Sequence, residues 1–423
     1  MSIARKTLRT FQAVVAAGLL LLAAPSAGSA EGGLFGFFGL FGPPRERPPY
    51  APPARPAPDI AAPPREIAVP GPLSATGPLV DDTARYLAGM QPAAGSPLTA
   101  LTGEDGWASH ARFFDRAFGE LDRTQLAKIR AWSNATLRQR RPTMFYMFSG
   151  PDFLYADAFF PGASTYVLAG LEPVGQIPDL ERIPRGSIGP ALANIANSLH
   201  SILSFSFFIT HNMRSELSTG QLGGTTPILY VFLARAGKTV REAKLVALDA
   251  DGGELPDGPG VKSAAHGVKI SFSGTDGGTQ TLYYFSTNLE NSSVVRSGLL
   301  KFCERLAPAD SLVKSASYLM HRESFARIRD FLLMQSATIL QDDSGIPLAY
   351  FDRQAWQLQP FGRYLGPVAV FPQNYQPNLS ELFARGSASP IDFGVGYRWR
   401  PHESNLLLAV RKEASTAGAS RTP

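Results

Sequence analysis

Three short runs in this chain are apolar from end to end: Met144 to Phe148, Tyr166 to Leu171 and Ile228 to Leu233, each bounded by glycine or proline. A strand with one wet face alternates apolar and polar residues, so a run without alternation suits a strand covered on both faces, as in a parallel sheet. Phe153 to Phe160 lies between the first two runs and is long enough for a short helical crossover. Later segments behave differently. Val268, Ile270 and Phe272 alternate with polar residues, and the turn Thr275-Asp276-Gly277-Gly278 leads into Leu282 to Phe285, the pattern of a β-hairpin. Leu312 to Leu319 reads as a further strand, and Phe325, Ile328, Phe331, Leu332, Ser336 and Ile339 mark one helical stripe.

Phe113, Phe114, Ala117, Phe118 and Leu121 share a helical face, and Leu126, Ile129 and Trp132 continue as a second helix after Thr124. An amphipathic helical hairpin is therefore expected to open the domain. Near the end, Phe393, Val395, Tyr397 and Trp399 alternate before a Pro401-His402-Glu403 turn and the run Leu406 to Val410, which predicts a terminal antiparallel pair. Together these signals give a single α/β domain with a mixed, mostly parallel sheet flanked by helices and a C-terminal antiparallel hairpin, with α+β as the fallback.

The domain is expected over residues 80–412. Ahead of it, Arg5, Lys6 and Arg9 precede the apolar run Phe11 to Ala24 and the small residues Gly28-Ser29-Ala30, the layout of a secretory signal peptide cleaved after Ala30. The run is shorter than the roughly 20 residues that span a bilayer. Residues 31–79 begin with a Phe/Gly segment containing Phe35, Phe37, Phe38 and Phe41 and continue as a proline-rich tract, which reads as a disordered, semi-rigid linker. Residues 413–423 read as a disordered tail. Between Arg185 and Arg214 no residue is formally charged, but Asn194, Asn197, His200, His211 and several serines interrupt the stretch, so a buried helix is expected there and not a membrane span.

Charge and cysteine content narrow the chemistry. The first thirty residues carry three basic and no acidic groups, so their removal takes the formal net charge from +5 to +2. Such a small excess forms no phosphate-neutralising stripe, and no nucleic-acid partner is expected. Cys303 is the only cysteine, which excludes an intrachain disulfide and a cysteine-based zinc site. No metal site is expected. His200 and His211, eleven residues apart on one helix, would lie about 16 Å apart, too far to share one ion.

Ser149-Gly150-Pro151-Asp152 follows the first apolar run, and Gly170-Leu171-Glu172-Pro173 closes the second. In a wound sheet both lie at carboxyl ends of strands, the edge where open α/β sheets bind ligands. The spacing of Asp152 and Glu172 is similar to that of a nucleotide fold, in which an acidic residue at the end of the second strand holds a ribose. The G-x-G-x-x-G loop is absent, so a nucleotide-type or methyltransferase-like scaffold is compatible as architecture but no cofactor is inferred. Asp152 also fits the N-cap of a helix starting at Phe153. Gln341-Asp342-Asp343-Ser344-Gly345-Ile346-Pro347 reads as the end of a helix, where adjacent acids oppose the dipole; it suits either paired-carboxylate chemistry or a turn with Gly345 as a left-handed cap. His321, at an expected strand end, is a candidate proton shuttle. Asp249 to Glu254 fits a surface turn. Tyr397-Arg398-Trp399-Arg400-Pro401-His402-Glu403 sets cations beside aromatics, a pattern for an anionic or sugar ligand or for an outward strand face.

The phrases Ser149 to Ala156, Gly170 to Gly175 and Gln341 to Pro347 resemble those of an uncharacterised group of exported bacterial proteins, over Ala108 to Val410. The resemblance implies a bacterial envelope setting and supplies no activity. The expected function is that of an exported periplasmic or envelope protein with a ligand-binding, partner-binding or scaffold role. The first alternative is an exported hydrolase or transferase using Asp152, Glu172, Asp343 and His321 at the strand ends. The second is docking on a membrane surface or envelope protein through Phe35, Phe37, Phe38 and Phe41.

Overall fold

The computed structural model describes residues 72–205, 222–258, 261, 263–274, 277–315, 317–385, 388–395 and 401–412. The signal segment, the Phe/Gly segment, most of the linker, the tail, His211, Thr275, Asp276 and Tyr397 to Arg400 lie outside the described residues.

Eleven strands form one sheet: β1 (Ser74–Thr76), β2 (Thr143–Met147), β3 (Thr165–Gly170), β4 (Thr239–Leu248), β5 (Glu254–Pro256), β6 (Ala265–Ser273), β7 (Thr279–Ser286), β8 (Ala309–Val313), β9 (Ser336–Gln341), β10 (Trp356–Gly362) and β11 (Asn405–Arg411). Their order is β1-β4-β6-β7-β3-β2-β8-β9-β11-β10, with β5 paired to β4. The centre, β7-β3-β2-β8-β9, is parallel throughout. Antiparallel strands extend it on both sides, β6 and β4 beyond β7, and β11 and β10 beyond β9. Numbered by appearance, the five parallel strands stand in the order 3-2-1-4-5, that of the dinucleotide folds.

Alternate residues of the central strands feed two cores. Met144 and Tyr146 of β2, with Tyr166 and Leu168 of β3, face α1 (Pro78–Leu87), α2 (Trp107–Leu121), α3 (Ala127–Thr136), α4 (Phe153–Phe159), α5 (Arg185–Phe205) and α6 (Thr226–Arg235). Phe145, Met147, Val167 and Ala169 face α7 (Asn291–Val294), α8 (Leu299–Glu304) and α9 (Ala326–Gln335). Both faces are thus covered, which is why β2 is buried at every position. Burial of each large side chain contributes roughly 1.5–3 kcal/mol, so the two layers fix the register of the parallel strands. A smaller cluster of Leu348, Tyr364, Leu379 and Leu407 seats α10 (Pro377–Ala384).

Several local expectations need correction. Ile228 to Leu233 is helix α6, buried on every side; a helix without a wet face carries no period and looks like a covered strand. The expected helical hairpin is a nearly continuous rod: α2 passes through a π-turn at Asp122–Leu126 into α3 with right-handed dihedrals at each junction. Thr124 caps nothing there, because its hydroxyl donates back to the Glu120 carbonyl at 2.7 Å. The strand expected to reach Leu319 ends at Val313. The helical stripe ends at Gln335, and Ser336 turns straight into β9, which takes Ile339. Among the described residues β11 pairs antiparallel with β10 and β9, and most of its expected partner, Tyr397 and Trp399 included, lies outside them. Strand β1 and the start of α1 also place ordered structure ahead of Val80. Among the described residues, no helix is long and apolar enough to cross a membrane.

Candidate functional site

The strand order reverses between β2 and β8, where chain crossovers pass to opposite faces of the sheet. Loops leaving the carboxyl ends of neighbouring parallel strands must diverge there and leave a crevice. A cleft with about 120 Å³ of water-accessible space, open at its mouth, occupies this place. Ser149, Gly150 and Asp152 enter it from β2, Leu171 and Glu172 from β3, Thr287 and Asn288 from β7, and Lys314, Ser315 and Ser317 from β8. Two backbone outliers mark the same edge. Among the described residues, Phe148 (φ 62°) and Tyr318 (φ 54°) are the non-glycine residues with positive φ, and they follow β2 and β8. For bulky aromatics this conformation is costly and clusters at functional sites. At Phe148 it sets the ring edge-on to Phe325, with centroids 5.6 Å apart, at the cleft wall.

Asp152 is 1% exposed and fully engaged. Its Oδ1 accepts from the Tyr155 N–H at 3.3 Å as the N-cap of α4. Its Oδ2 accepts from the Tyr146 hydroxyl at 3.0 Å and from Lys314 Nζ at 3.4 Å. Lys314 also lies over the Tyr155 ring, 4.3 Å from its centroid. Burial raises the Asp152 pKa, opposed by the Lys314 charge and the hydrogen bonds from Tyr146 and Tyr155. Burial and the same carboxylate push the Tyr146 phenol well above its ordinary range. Both sequence readings of Asp152 therefore hold in geometry: it caps a helix and it faces the strand-end cleft.

Glu172 is positioned by what its neighbours lack. A Cβ on Gly170 would stand 2.3 Å from Glu172 Oε2, and one on Gly150 would stand 3.3 Å from both carboxylate oxygens. The two glycines thus make room for this carboxylate over the β2–α4 turn. From behind, the Tyr284 hydroxyl lies 2.8 Å from the Glu172 carbonyl and 3.3 Å from Oε2.

Asp343 and His321 gather in a neighbouring cluster and do not line the cleft. The acidic pair follows strand β9, so the helix-dipole conflict expected from the sequence does not exist. Nor is Gly345 a left-handed cap; it packs against the Gln341 side chain. Asp343 accepts from Asn405 Nδ2 at 2.9 Å and from the Tyr318 hydroxyl at 2.8 Å. Asp342 Oδ1 accepts from the Ser344 N–H at 2.9 Å and from its hydroxyl. Burial, then the adjacent Asp343, raises Asp342 to about 6. His321 meets the Tyr318 ring edge-on at 5.2 Å, and its buried Nε2 has no hydrogen-bond partner among the described residues. Burial lowers its pKa, which favours the neutral ring.

The structure therefore unites Asp152 and Glu172 and sets Asp343 and His321 apart. The sequence reading passed over Tyr146 and Lys314, and it took Asp342 only as one of the two adjacent acids. Lys314 is the residue immediately after strand β8. Asp249 accepts from the Asp251 and Gly253 N–H groups and closes the β4–β5 turn. Among the described residues no group of three or more histidine, cysteine or carboxylate side chains is placed to hold a metal ion. No family model, curated protein or solved structure matches this chain.

Proposed function

We propose that this chain is an exported bacterial envelope protein that binds a small polar ligand in the strand-end cleft. The observation that carries the reading is the coincidence of the cleft with the reversal of strand order in a 3-2-1-4-5 parallel sheet. Polar groups from four different strands converge on it beside aromatic and aliphatic walls, the usual make-up of a small-molecule site. Binding is favoured over carboxylate catalysis because Asp152 and Asp343 already hold two or three partners each within the fold. They are anchors for the site and its neighbouring cluster.

The test is a thermal-shift screen of polar metabolites against the whole protein and against Ser317→Trp, which puts an indole at an exposed position on the cleft wall. A ligand that stabilises the parent and not the plugged variant supports the reading. Equal stabilisation of both would place the binding elsewhere and refute it. The export component rests on the N-terminal segment: mature protein from a periplasmic fraction should begin at Glu31, and an intact Met1 terminus in that fraction would refute cleavage.

A further inference from the structure

We infer that the ligand is a ribonucleoside whose ribose diol is held by Glu172 and whose 5′ side is neutral or cationic, never phosphorylated. This rests on the cleft being a ligand site and adds the ligand's chemical class.

The diol assignment follows from position. In a sheet of this order, the acidic residue at the end of the second parallel strand faces the ribose of a ligand lying across the switch point. Glu172 occupies that place, two residues beyond β3, and its carboxylate is held over the β2–α4 turn by the bare Cα atoms of Gly150 and Gly170. A carboxylate accepts from two neighbouring hydroxyls at once, which suits a cis-diol. Leu171, Leu289 and Phe325 supply apolar wall on which a base can lie.

The 5′ assignment follows from charge. Dinucleotide folds place pyrophosphate on free backbone N–H groups at the first helix, after a glycine-rich loop. Here Pro151 has no N–H, and the Asp152 carboxylate already takes the Tyr155 N–H. The charged groups on the cleft wall are Asp152, Glu172 and Lys314, a formal sum of −1, and the one cation among them is 3.4 Å from Asp152. A phosphate entering this space would meet a carboxylate where a dinucleotide fold offers donors. An ammonium or a plain hydroxyl meets no such repulsion.

The experiment is calorimetric titration of the whole protein with four ribonucleosides, then with the 5′-amino-5′-deoxy and 5′-phosphate forms of the best one. The expected order is 5′-amino at least as tight as the parent nucleoside, and 5′-phosphate weaker by about tenfold or more. Glu172→Gln should weaken the nucleoside by roughly 10- to 100-fold, the loss expected for hydrogen bonds to a charged group, with its unfolding temperature unchanged. Blocking the diol as the 2′,3′-isopropylidene should abolish binding. Tighter binding of the 5′-phosphate, indifference to Glu172→Gln, or no binding by any of the four nucleosides overturns the inference. If another metabolite then binds in a manner lost on Ser317→Trp, the site stands and only the ligand class falls; if none does, both fall.

Discussion

Lys314→Met isolates the electrostatics of the cleft floor. The Lys314 ammonium and the Asp152 carboxylate are 3.4 Å apart with side chains 7% and 1% exposed. At an effective dielectric of about 20, Coulomb attraction at that distance is about 5 kcal/mol before desolvation is subtracted. Methionine keeps most of the packing of the lysine stem but leaves the carboxylate without its cation. Removing one partner of a buried pair typically costs about 3–5 kcal/mol. The Tyr146 hydroxyl and the Tyr155 N–H remain bonded to Asp152, so the expected loss is near the lower end, about 3 kcal/mol at pH 7.5. The pH dependence has a definite sign. Burial holds the folded-state pKa of Asp152 above 3.8, and loss of Lys314 raises it further. The folded variant then binds a proton that the unfolded chain does not, so its deficit shrinks as the pH falls toward 4 and grows as it rises. Urea unfolding of the parent, Lys314→Met and Asp152→Asn/Lys314→Met at three pH values reads this directly. The double variant carries no lone buried charge and should recover at least half of the loss. A deficit below about 1 kcal/mol in the single variant, or a double variant no more stable than the single, would refute the reasoning.

Asp342 is raised to about 6 by burial and by Asp343, and Asp310 to about 6 chiefly by burial. Both therefore bind protons in the folded state between pH 4 and 6, and stability should fall as the pH rises through that window; Asp342→Asn should make the slope shallower, and an unchanged slope in urea unfolding would contradict the assignment. Gly170→Ala would place a methyl 2.3 Å from Glu172 Oε2 and 3.0 Å from the Gly150 backbone, so a loss of about 1–3 kcal/mol is expected, checked by the urea midpoint. Cys303 is fully buried, and burial raises its pKa, so an aromatic disulfide reagent should label it only on unfolding; rapid labelling of the native protein would place the thiol at the surface.

The sheet's centre was legible because burial on both faces writes itself into the sequence. β2 and β3 were readable as uninterrupted apolar runs, and their trailing Ser-Gly-Pro-Asp and Gly-Leu-Glu-Pro turns located two walls of the cleft. The same signal misled at Ile228 to Leu233, where a helix buried all round gives an identical pattern. Thr226-Pro227 just before it was the available clue, since proline favours the first helical turn. The α9-to-β9 junction was illegible for a different reason: no glycine or proline lies between Phe325 and Ile339, so the helical stripe runs unbroken through it. That single error also put Asp342 and Asp343 at a helix end. Lys314 escaped because its importance is relational; a lysine after a strand becomes informative only once Asp152, 162 residues earlier, is seen beside it.

The most direct measurement is a crystal structure of the whole protein grown with the tightest-binding ribonucleoside. The expected result is ligand density between the β2 and β8 loops, with the ribose 2′- and 3′-hydroxyls within hydrogen-bond distance of the Glu172 carboxylate and the 5′ carbon toward Asp152 and Lys314. Density for the nucleoside outside this cleft, or inside it with the ribose turned away from Glu172, would contradict it.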